Sequence, residues 1–77
     1  MLEQDTWHTL RDMETKVEKA LEAWESSLKI AEQQRDSDVA ARSDRYFQAA
    51  NERVNYIRGK LEAGTGFLRG IRRMIEE

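Results

Sequence analysis

The chain has 77 residues, 36% of them charged, with a net charge of −2 at pH 7, no cysteine, no proline and one histidine. This composition excludes a disulfide, a thiolate metal site and a zinc site built on histidines. The near balance of charge favours neither nucleic acid nor an anionic membrane as a bulk partner. A domain this small buries a thin core, so its stability has to come from good helix packing or from association.

The opening stretch Met1–Asp5 is acidic and has no apolar central segment, so it is not expected to act as a secretory signal. Helix 1 is expected over about residues 5–35, with Asp5 or Thr6 capping its first turn. Trp7, Leu10, Val17, Leu21, Trp24, Leu28 and Ala31 recur at steps of three and four and form one apolar seam. Between them stand good helix formers, among which Glu25 and Lys29 are in the favourable i, i+4 order. Glu14 also falls at a seam position. It is read as a local shift that lets Met13 take the site, rather than as a buried carboxylate. His8 is read as a solvent-facing helix residue.

The turn is expected at about residues 36–38, where Asp36, Ser37 and Asp38 have short side chains that bond nearby backbone. Ser43-Asp44 is a second candidate helix start. Helix 2 is expected over about 39–63, with a seam of Ala50, Val54, Ile57, Leu61, Leu68, Ile71 and Ile75. At Ala63-Gly64-Thr65-Gly66 the helix either bends and continues, or breaks so that Thr65 caps a short third helix over about 66–76. No run is long and apolar enough to span a bilayer.

The expected fold is therefore all-α: an antiparallel two-helix hairpin, completed by self-association or by a partner. With a turn near residue 37, facing residues have numbers adding to about 74. Val17 is then opposite Ile57 and Trp24 opposite Ala50, and Gly64 and Gly66 make room for the Trp7 indole. Charge supports the antiparallel arrangement. Residues 1–38 carry five basic and ten acidic side chains, and residues 39–77 carry eight and five.

Two helices cannot close a core, and the apolar surplus is large. Residues beyond about 68 are expected to project past the start of helix 1 with nothing opposite. The expected partner-binding residues are Ile30, Phe47, Tyr56, Leu68, Ile71 and Ile75. The occupant is another protein or a second copy forming a four-helix bundle.

No nucleotide-binding glycine loop, nucleophile–base pair or Glu-x-x-His metal motif is present. Catalytic, cofactor and metal residues are therefore expected to be none, and the chain is expected not to be an enzyme. Arg69, Arg72 and Arg73 form a short basic amphipathic tail. It reads as complement to the helix dipole, as a segment that docks a partner helix, or as a contact to a lipid surface or to nucleic acid, the last in a small dimeric regulator together with the arginines of helix 2. The lack of cysteine fits a reducing compartment, so cytoplasm is expected.

The two-helix layout, the polar central turn and the stretch Leu61-Glu62-Ala63-Gly64-Thr65-Gly66-Phe67-Leu68-Arg69-Gly70-Ile71 resemble the small hairpin co-chaperones of type III secretion needle subunits. That resemblance implies a hairpin that joins a second, tetratricopeptide-like chaperone. The pair would keep the needle subunit from polymerising, with the open faces of both helices as the chaperone-binding surface.

Overall fold

The computed structural model describes residues 3–76, so the reading of Met1 and Leu2 lies outside the described residues. The chain is a hairpin of two long helices joined by one short helical turn. The elements are α1 (Gln4–Arg35), α2 (Asp38–Arg42) and α3 (Asp44–Glu76). No strand occurs among the described residues. The rod measures 58 × 14 × 13 Å, and α1 and α3 pack along their length.

α1 begins earlier than expected. Glu3 is its N-cap in extended backbone, with no side-chain cap bond, so neither Asp5 nor Thr6 caps it. Asp5 instead sits in the first turn, where its charge complements the helix dipole. The expected Glu25–Lys29 pair is not among the ion pairs formed, whereas Asp12 and Lys16 pair at 3.1 Å on the same helix.

The connection is longer than the expected three-residue turn. Asp36 is the C-cap of α1, and its N–H donates to the Glu32 carbonyl. Ser37 then caps a new helix, its hydroxyl accepting from the Ala40 N–H at 3.3 Å and donating to the Gln34 carbonyl at 2.7 Å. Ser43 repeats the device six residues on. It leaves the helical region at φ −139°, ψ 110° and accepts from the Tyr46 N–H at 3.3 Å. Two serine caps in tandem thus cut out α2, whose Ala40 is buried.

This connector resets the register. Leu21 abuts Gly64, so facing numbers add to 85 rather than to 74. The seam keeps its residues but slides by eleven, which is three helical turns. Ala31, Val54 and Ile57 form the fully enclosed centre, with Trp24, Leu28 and Leu61 packed around them. Gly64 therefore makes room for Leu21, not for Trp7, and Gly66 has open space around it. Trp7 is exposed, edge-on to His8, with the Arg11 guanidinium 5.0 Å from its ring centre.

The same slide brings the tail back over α1. α3 runs unbroken through Gly64-Thr65-Gly66, with no positive φ, so Thr65 caps nothing and no third helix is split off. Leu68 and Ile71 are buried and Ile75 is half-buried, where the expectation had them projecting beyond the hairpin.

Candidate interaction surface

The site is defined by an asymmetry between the two sides of the seam. With Gly64, which faces Leu21, included in the α3 seam, the positions immediately after its residues are Asn51, Asn55, Arg58, Glu62, Thr65, Arg69, Arg72 and Glu76, all polar. Those immediately before are Ala49, Arg53, Tyr56, Lys60, Ala63, Phe67, Gly70 and Met74, mostly apolar or small. At 100° per residue, the two sets flank the seam on opposite sides of the helix.

The polar side is closed by ion pairs. Arg72 donates through Nε to Glu14 Oε2 at 3.0 Å and through Nη2 to Glu18 Oε1 at 2.7 Å. Further along the rod, Arg58 lies 3.9 Å from Glu32. In each case the carboxylate comes from α1 and the guanidinium from α3, following the charge imbalance between the halves. Arg72 is thereby paired within the hairpin although half of its side chain stays exposed, whereas Arg69 and Arg73 are exposed and form no ion pair among the described residues.

Glu14 anchors this side. Its side chain is only 12% exposed, so it does occupy the seam position, and Met13 does not displace it. Its second oxygen accepts from Arg11 Nη1 at 2.9 Å. Hydrogen bonds from Arg11, and then from Arg72, hold its carboxyl below the usual glutamate value. Among the described residues, no three histidine, aspartate or glutamate side chains converge in a way that could hold a metal ion. No described helix is long and apolar enough to cross a membrane.

The other side is open. Three shallow hollows follow one another along it. The first lies between Gln34, Tyr46 and Arg53. The second, of ≈ 490 Å³, is lined by Trp24, Ser27, Ala49, Glu52, Arg53 and Tyr56, with Ile57 at its floor. The third, of ≈ 430 Å³, is lined by Val17, Ala20, Trp24, Lys60, Ala63 and Phe67. Trp24 belongs to two of them. Its ring meets that of Tyr56 edge to face, with centroids 6.1 Å apart at 69°, and the Lys60 ammonium rests 5.4 Å from the Tyr56 ring centre.

The residues expected to bind a partner are divided by this geometry. Tyr56, 59% exposed, lies on the open flank. Ile30 is exposed and immediately precedes the seam residue Ala31, which places it at the outer rim of that side. Phe47 is exposed near the connector. Leu68 and Ile71 are spent on the intramolecular seam and present no open surface. Trp24, Phe67 and Lys60 belong to the surface but were absent from the expected set. The one-sided apolar excess just before each seam position would have found them.

No protein-family model matches the chain, and neither the curated proteins nor the solved structures provide a match.

Proposed function

We propose that the chain is a non-catalytic interaction module, an adaptor or co-chaperone-like hairpin, that docks another protein through its open flank. The supporting observation is the contrast between two sides of one seam. One is sealed by Arg72 on Glu14 and Glu18. The other leaves Tyr56 and Phe67 more than half exposed over the Trp24 hollows. Contiguous apolar surface of this kind marks protein interaction sites, and aromatic side chains beside hollows are the usual energetic anchors.

The resemblance of the Leu61–Ile71 stretch to needle-subunit co-chaperones adds to this reading. It names a second chaperone as the kind of partner. The cysteine-free composition fits residence in the cytoplasm.

The test is site-specific photocrosslinking in the native cells. A photoreactive residue at position 67, on the open flank, is expected to give one discrete adduct. The same residue at position 69, on the polar side, is expected to give none. Equal labelling from both positions would refute the reading.

A further inference from the structure

The open flank carries a charge pattern that its own hairpin does not answer. On the closed side, each basic group of α3 that contacts α1 meets a glutamate. On the open side, the α1 residues that share the second and third hollows with Arg53 and Lys60 are neutral: Trp24 and Ser27 for Arg53, and Val17, Ala20, Leu21 and Trp24 for Lys60. Glu52, beside Arg53 on α3, forms no ion pair with it. Neither cation pairs with a carboxylate among the described residues. Of the residues lining the three hollows, Glu52 alone is acidic.

From this we infer that the occupant of the flank is a single amphipathic helix from another protein, acidic along its edges, which lies along the hollows and completes a three-helix bundle. The inference rests on the interaction reading above and specifies the partner's chemistry. The hollows extend from Tyr46 to Phe67 on α3, about 30 Å at 1.5 Å per residue, the length of a helix of about six turns. An apolar stripe at three- and four-residue spacing would seat against Trp24, Tyr56 and Phe67. Glutamates beside that stripe would reach Arg53 and Lys60, as coiled-coil edge charges do.

A second copy fits less well. Laid flank to flank, it would bring another Arg53 and another Lys60 to the same strip and, of the residues lining the hollows, only Glu52 as a carboxylate. Like charges at an interface oppose association.

The experiment uses the full chain carrying Trp7→Phe, so that Trp24 is the only indole and reports on the hollows. Two synthetic 21-residue helical peptides, each monomeric at the working concentration, share one leucine stripe. One has glutamate and the other lysine at the flanking positions. The glutamate peptide is expected to shift Trp24 emission and to bind at least tenfold tighter than the lysine peptide. The double variant R53E/K60E should reverse that order, while R69E/R73E should leave it unchanged.

Binding of neither peptide, equal binding of both, or an order unmoved by R53E/K60E would overturn the inference. So would a dimeric mass for the chain alone with Trp24 already shielded. A discrete crosslink from position 67 combined with any of these results would leave the interaction reading standing and remove only the acidic-helix partner.

Discussion

Gly64 lies directly beneath Leu21: a methyl group on its α-carbon would come within 2.6 Å of Leu21 Cδ2. Glycine here leaves the space that the end of the Leu21 side chain occupies. Valine at this position should destabilise the hairpin by about 1–3 kcal/mol, the ordinary cost of forcing extra carbon into a packed seam. Valine at Gly66, two residues on and in open space, should change stability by no more than about 0.5 kcal/mol. Thermal unfolding of the two variants checks the contrast.

Gly59 and Gly66 have nothing near the place a β-carbon would occupy, and both are in helical backbone. Alanine at either should stabilise the chain by about 0.5–1 kcal/mol, through helix propensity and a less flexible unfolded state. The sites are two turns apart and share no packing partner, so the double variant should show the sum. Midpoints for the two single variants and the double variant decide this.

Tyr56 and Ile57 are neighbours with opposite roles. Ile57 is 2% exposed in the centre of the seam, and Tyr56 is on the open flank. Ile57→Ala should cost about 2–5 kcal/mol of folding stability. Tyr56→Ala should cost no more than about 1 kcal/mol, the scale of its edge-to-face contact with Trp24. Against a bound partner the order should reverse, with Tyr56→Ala weakening binding by about 2 kcal/mol. Denaturant titration and calorimetric titration on the same pair of variants separate the two effects.

Glu14 links stability to acid. Its folded-state value lies below the 4.5 of a free glutamate, because Arg11 and then Arg72 hydrogen-bond the charged form. The unfolded chain therefore takes up this proton first as pH falls. The contribution of Glu14 is complete above pH 4.5 and is lost as pH drops through the depressed folded value. Glu14→Gln should flatten the fall of the thermal midpoint below about pH 4.5 and have its largest destabilising effect near neutrality. A pH series of melting curves for both proteins tests it, and parallel curves would contradict it.

Ser43 begins α3 by accepting from the Tyr46 N–H. Ser43→Ala should cost about 1 kcal/mol, as loss of a helix N-cap does. Replacement by aspartate, another capping residue, should restore most of it.

Much of this architecture could be read directly from the residues. The two seams, the antiparallel order and the opposite charges of the halves all follow from spacing and composition, and the structure pairs Glu14, Glu18 and Glu32 with Arg72 and Arg58 accordingly. The register could not be read in the same way. A slide of three turns returns the same faces to the seam, so periodicity alone does not distinguish Val17 opposite Ile57 from Leu28 opposite Ile57. The choice is made by the connector, where Ser37 and Ser43 each cap a helix and spend five residues on α2 between them. A polar cluster at residues 36–38 looks the same whether it closes a tight turn or opens an extra helical one. The surface reading suffered from the same slip. In the shorter register Leu68 and Ile71 read as surplus on an overhanging tail, whereas the structure buries both and leaves Phe67, one residue away, exposed.

A rod 58 Å long and 14 by 13 Å across is a single helix pair thick. No layer stands behind the seam to hold it when one part gives way. A breach therefore has an easy path along the axis, and the two helices can peel apart from the free end like a zip. Amide exchange should be graded along the length, slowest around Ala31 and Val54. A ligand clasping the bare side would act as a splint, and its footprint would be visible as slowed exchange in both helices at once.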